Sequence, residues 1–163
     1  MLNKLIAAVA LLVVLRFVLM PKLEYFTASE FGVWWPLMNR DLLVKLDKFR
    51  ELWGDRVVVS SADGALGRHS GEESQSQHNV DVWTTVNAVD IFPQIGSRGI
   101  RSAAERRRAY QIAKEVGFTG IGLYTDTGAD NMLHVDVRRG RANDPAEWSR
   151  VNFEYLAIER VLV

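Results

Sequence analysis

The sequence predicts an α+β fold, a small antiparallel sheet flanked by helices, with a hydrophobic segment ahead of it at the N-terminus. Three observations carry this. Two stretches, "RDLLVKLDKFRELWG" and "SAAERRRAYQIAKEVGF", repeat apolar residues at helical spacing and meet a glycine at the end. Short runs such as "DRVVVSS", "TGIGLYTD" and "MLHVDVRRG" have the β-branched or alternating character of strands. Their order along the chain is helix, strand, loop, hairpin, helix, hairpin, which suits segregated helices on a small antiparallel sheet.

The 163 residues suit one domain with an appendage, and a chain of this size can bury a sizeable core. Apolar residues make up 48% and charged residues 25%, the balance of a folded globular protein rather than a disordered one. Twenty basic residues offset twenty acidic ones, so no electrostatic pull toward nucleic acid is expected. The basic run "RSAAERRRAY" reads as a solvated helix face. With no cysteine, disulfides and thiolate metal sites are excluded, and any metal must be held by histidine and carboxylate.

Residues 1–21 form the appendage. "LIAAVALLVVLRFVLM", residues 5–20, is apolar except for Arg16, follows Lys4 and is closed by Pro21. As a helix it reaches about 24 Å, marginal for a hydrocarbon core of about 30 Å, and it also fits the hydrophobic region of a signal peptide. Without a small-x-small cleavage site after it, an uncleaved signal anchor or transmembrane segment is the expectation, with a buried core helix as the alternative. Residues 22–163 are then the folded domain. A positive N-terminus places that domain across the membrane, outside the cytoplasm.

Within the domain, "TASEF" puts Thr27 or Ser29 at a helix N-cap with a glutamate in the first turn. The next helix buries Leu42, Leu43, Leu46, Phe49 and Leu52 and stops at Gly54. "DRVVVSS" is a buried strand. "ADGALGRHSGEESQSQHN", residues 62–79, is a long polar loop, and long loops inside compact domains tend to carry function. "VDVWTTVNAVDIFP" reads as strand, turn and strand, ending at Pro93. The second helix, marked by Ala104, Arg108, Ile112 and Val116, stops at Gly117. "TGIGLYTD" and "MLHVDVRR" pair as strands across the turn "TGADN". In the tail, Asp144 followed by Pro145 signals a capped helix whose end turns into strand.

The three histidines are His69, His78 and His134. A catalytic zinc uses three protein ligands and leaves its fourth position open, and His78, Asp90 and His134 supply such a set. Asp90, inside the apolar run "AVDIF", needs a partner or a cation because an unpaired carboxylate there is costly. The competing reading makes His78 a loop residue and His134 the wet side of a strand.

Taken in order after the "SEF...LL..L..FRE" helix, "SSADGALGRHSG...SQH", "AVDI", "GIGLY" and "LHVDVR" resemble the M15 peptidases. These are zinc D-Ala-D-Ala carboxypeptidases and phage endolysin-type peptidases that share their fold with the hedgehog signalling domain. The resemblance spans residues 27–139. It implies Zn²⁺ as cofactor, His78, Asp90 and His134 as its ligands, and Arg68 as the arginine that holds a substrate carboxylate. The family's spacing between first histidine and aspartate is shorter than the eleven residues found here, so "NVDVWTTVNAV" forms a longer loop, and Asp81 is a competing ligand. Relatives place the general base three residues before the last histidine, where this chain has Asn131. Asp130 beside it is the expected base, with Asp126 and Asp136 near, and Asp136 also suits a role orienting a ligand. The implied activity is hydrolysis of peptidoglycan stem peptides by a membrane-tethered cell-wall hydrolase of bacterial or phage origin. A catalytically inactive binding or structural virion or envelope protein with the same fold is the alternative.

Overall fold

A computed structural model describes residues 20–163, so the expected N-terminal hydrophobic segment lies almost wholly outside the described residues. Among the described residues no helix is long and apolar enough to cross a membrane. The chain is α+β. A 3₁₀ segment, Ala28–Leu37, is kinked at Gly32 (φ 51°, ψ −135°) and leads into helix α1, Arg40–Trp53. Strand β1 (Val57–Val59) follows, then a long loop, a one-turn helix α2 (Val80–Trp83), strands β2 (Ala88–Ile95) and β3 (Arg98–Gly99), and helix α3 (Ala103–Val116). The chain ends with β4 (Gly120–Tyr124), β5 (Met132–Asp136), β6 (Ala146–Val151), β7 (Glu154–Leu156) and a short 3₁₀ turn, Ile158–Val161.

The local chemistry of the helices follows from their ends. Thr27 begins a capping box with Glu30, as its position in "TASEF" suggests. Asn39 caps α1 by accepting from the Asp41 amide at 3.0 Å, and Ser102 with Glu105 forms the capping box of α3. Gly54 and Gly117 end α1 and α3 in the left-handed conformation, where a Cβ is unwelcome.

The sheet runs β1-β2-β5-β4-β6-β7, with β3 folded back on β2. Every pairing is antiparallel except β4 with β6, which is parallel, so the sheet is mixed and larger than the sequence implies. Alternation sorts its residues. Val89 and Ile91, Leu133 and Val135, and Ile121 and Leu123 turn to one face and are fully buried together with Leu42, Leu46 and Phe49 of α1 and Ala109 and Ala113 of α3. Arg108 joins the helices by lying 4.3 Å over the Trp53 ring and donating to the Trp53 carbonyl at 2.6 Å. The opposite face carries the polar residues of the same strands.

Two expected elements change identity. "VDVW" is helical: Asn79 accepts from the Asp81 amide at 3.1 Å, and the turn closes at Thr84 in the left-handed region, so a cap overrides the apolar alternation. The tail after Pro145 is strand β6, not helix. Its alternation sends Ser149 to the buried side and Trp148 and Arg150 to the other, and pairing with β4 outweighs the Asp-Pro cap.

The β6–β7 hairpin turns through Asn152 (φ 50°) and Phe153 (φ 67°). Two successive positive φ values match the twist of the strands, and glycine is the favoured second residue of such a turn. Phe153 is 78% exposed, so little packing offsets its backbone strain. Phe153→Gly is expected to stabilise the chain by about 0.5–1 kcal/mol, read as a higher urea midpoint at unchanged slope.

Candidate metal centre

The polar face of the sheet is built in rows. Asp90 of β2, His134 of β5, Gly122 of β4 and Trp148 of β6 stand directly opposite one another in register, one row across four strands. A Cβ on Gly122 would come within 2.5 Å of the Trp148 ring, so the missing side chain lets the indole cross the gap. Trp148 thereby packs against His134, ring centroids 5.1 Å apart. In a neighbouring row Gly120 opposes Asp136, whose carboxylate occupies the space a side chain at Gly120 would need.

His78 reaches this row from the loop. Backbone hydrogen bonds from Arg68 to His78, from Val80 to Arg68, from Asn87 to Gln77 and from Asp90 to Ala65 fasten the loop to the edge of β2. Buried Asn79 holds it further by donating to the carbonyls of Gly71 and Ser74 at 2.7 and 2.8 Å. The longer spacing between His78 and Asp90 is taken up by α2, which leaves the two residues adjacent in space.

The donor atoms form a compact triangle. His134 Nδ1 lies 2.9 Å from Asp90 Oδ1 and 3.2 Å from His78 Nε2, and the third edge, His78 Nε2 to Asp90 Oδ1, is 3.6 Å. Tetrahedral zinc with bonds of 2.0–2.2 Å separates its ligand atoms by about 3.3 Å. The triangle therefore fits such an ion, and it is a group of three among the described residues able to hold one. Each ring also has an acceptor for its remote nitrogen. His78 Nδ1 is 2.6 Å from the Leu66 carbonyl and His134 Nε2 is 3.2 Å from Asp136 Oδ2. These contacts fix the tautomers that turn His78 Nε2 and His134 Nδ1 toward the centre. Asp136 is thus the orienting carboxylate, and Arg138 Nε steadies it from 2.9 Å.

Without a cation the group is strongly coupled. Burial alone lowers the affinity of His134 for a proton, but the Asp136 and Asp90 carboxylates outweigh it and push its pKa up to about 9. Burial works against ionised Asp136 too, yet His134 and Arg138 hold it down to about 2. Asp90, likewise desolvated, is kept well below the usual carboxylate range by His134 and His78.

The group opens into a cavity of about 340 Å³ whose lining includes Arg68, Tyr124, Trp148, Arg150 and Tyr155. Arg68 donates to Ser76 Oγ at 2.8 Å and, among the described residues, pairs with no carboxylate. The structure thus brings together His78, Asp90, His134 and Arg68, with Asp136 behind His134. Asp130 is not among them. It accepts from Arg101 Nε at 2.8 Å and does not line the cavity. Asn131 is turned to the helical side by strand alternation, where its Oδ1 accepts from Arg106. Asp126 is engaged by Arg150 and the Phe153 amide, and Asp81 by His69 and the amides of Ser70 and Gly71, so neither faces the triangle. Gly122, Tyr124 and Trp148 escaped the sequence reading. The glycines two apart in "GIGLY" and the alternation of "WSRV" are the signals that mark them.

Comparison with protein-family models, curated proteins and solved structures finds no match to this chain.

The raised pKa of His134 sets a pH dependence. A group whose folded pKa lies above its unfolded value stabilises fully below the unfolded pKa, here the ordinary 6.5, and loses that contribution as pH rises through about 9. The depressed Asp136 contributes above its ordinary 3.8 and loses its share as pH falls toward about 2. In EDTA the melting temperature is therefore expected to plateau between roughly pH 4 and 6.5 and to fall by pH 9.5. In His134→Gln the alkaline fall attributable to this group should vanish, which calorimetric melting at stepped pH would show.

Proposed function

We propose that this chain is a zinc-dependent peptidase that hydrolyses peptide bonds in peptidoglycan stem peptides. The observation that carries the reading is the His78–Asp90–His134 triangle, of zinc dimensions, with both rings oriented from behind and, across the same cavity, an arginine that pairs with no carboxylate among the described residues. The sequence resemblance to the M15 peptidases supports it, and with it a hedgehog and D,D-peptidase type of fold. His78, Asp90 and His134 would hold a zinc ion, which when bound would supply an activated water and a Lewis acid for the amide carbonyl.

The chain's own residues do the rest. His78 and His134 would turn Nε2 and Nδ1 to a bound ion while the Leu66 carbonyl and the Asp136 carboxylate accept from their other ring nitrogens, and Asp90 would contribute negative charge. Arg68 holds a substrate carboxylate with a planar pair of donors that lysine lacks. Its distance from the triangle in sequence is bridged by the Arg68 and Asn79 pairing. Trp148 covers one side of His134 and limits water there. The apolar residues 1–21, read as a signal anchor or transmembrane segment, suit a hydrolase tethered at the membrane with its domain outside the cytoplasm, next to that substrate.

One observation favours a second reading, a metal-holding binding module. Asp90, a ligand in the triangle, is the carboxylate that lines the cavity among the described residues, so none remains there as a dedicated base.

Metal analysis of the full chain should find one zinc per molecule, and purified peptidoglycan should release peptide fragments. His78→Ala is expected to lose the metal and all measurable turnover. Arg68→Ala should keep the metal and lower kcat/KM by about 10²-fold, as expected for loss of a charge-assisted contact worth about 3 kcal/mol. One zinc without turnover in the unmodified chain would select the binding module, and no zinc at all would end both readings.

A further inference from the structure

We propose that Tyr124 is a further catalytic residue of this site, its phenolic O–H donating a hydrogen bond to the carbonyl oxygen of the bond being cut. The inference rests on the metallopeptidase reading above and adds a residue to it.

Tyr124 follows Gly122 by two residues on β4 and so stands on the same face of the sheet, one row along from the ligands. That row runs Met132, Tyr124, Arg150 and Tyr155 across four strands, and all four residues line the cavity of the triangle. The hydroxyl is placed through the ligands themselves. Trp148 packs on His134 and spends its one N–H on the Tyr124 oxygen, 3.0 Å away. The indole therefore takes up an acceptor side of that oxygen, which leaves the hydroxyl free to donate on its cavity side, where Tyr155 also lies.

The ring is equally constrained. The Arg150 guanidinium lies 4.5 Å above it, and Asp126 grips that guanidinium at 3.0 and 3.1 Å. Tyr155 meets it edge-on at 6.3 Å, and only 8% of Tyr124 is exposed. Burial and the Asp90 charge raise the hydroxyl's pKa, so it stays a neutral donor. A donor held in place before reaction costs no reorganisation when charge develops on the carbonyl oxygen. Tyr124 keeps its proton throughout; it forms and loses a hydrogen bond only.

The test compares the full zinc-loaded chain with Tyr124→Phe, on peptidoglycan for turnover and on a phosphinate analogue of D-alanyl-D-alanine for binding. Zinc content is measured in both. Tyr124→Phe is expected to keep one zinc and a KM within about twofold, while kcat falls about 10²-fold, the loss seen on removing one such donor. Phosphinate binding should weaken by a comparable factor. Trp148→Phe, which keeps a ring over His134 but loses the N–H, should lower kcat at unchanged zinc content, although less. Wild-type kcat and phosphinate affinity in Tyr124→Phe would overturn the inference and leave the metallopeptidase reading standing. Loss of zinc from that variant would also overturn it, by assigning Tyr124 to the framework. If the unmodified zinc-loaded chain neither cuts nor binds the phosphinate, the metallopeptidase reading fails and this inference with it.

Discussion

Two carboxylates on one face of a sheet, Asp136 fully buried and Asp90 half-buried, are the constraint around which this molecule is organised. Asp136, two residues along β5, and Asp90, opposite on β2, flank His134, and the other side of both strands is committed to the core. Negative charge at that depth is costly unless a cation answers it. The imidazolium of His134 and the Arg138 guanidinium answer it when no metal is present, and a divalent ion would answer it more completely. The same electrostatic need thus explains why the group holds together without metal and why it would attract one. Any metal bound there would have to displace the His134 proton, so its affinity would depend on pH.

The geometry that meets this need comes from omission as much as from ligands. Gly120 and Gly122 leave two gaps in the middle of a sheet, one filled by the Asp136 carboxylate and the other crossed by Trp148. Glycine weakens a strand interior, and here that cost is accepted where side chains from adjacent strands must lie over the backbone. The row of Asp90, His134, Gly122 and Trp148 is a set of cross-strand neighbours, so the candidate donors Asp90 and His134 inherit the precision of the backbone pairing.

Much of this was readable from the residues. The helices of Leu42 to Trp53 and Ala103 to Val116 declared themselves by periodicity and by their caps, and the β4–β5 hairpin by alternation. His78, Asp90 and His134 were legible as a set because histidine is scarce in this chain and Asp90 is out of place in apolar surroundings, whereas Arg68, one arginine among many, was picked out only by the resemblance to the M15 peptidases. What escaped depended on tertiary pairing. "VDVW" looks like a strand until Asn79 is seen to cap it, and the tail looks like a capped helix until β4 offers a partner. Asp130 was proximity in sequence without proximity in space: strand alternation turns Asn131 to the helices, and Arg101 draws Asp130 aside.

The loop that carries His78 gives the triangle a mechanical meaning. Two of the three donors belong to the sheet and one to a segment tied down by a handful of backbone hydrogen bonds. An ion held among them is a cross-link between a rigid part and a weaker one, so it suppresses local opening of the loop as well as global unfolding. Opening of that loop would remove one of the three donors and so favour release of such an ion. For any ion held there, the protease susceptibility of residues 62–79, the residence time of the ion and the occupancy of the centre would be three views of one equilibrium.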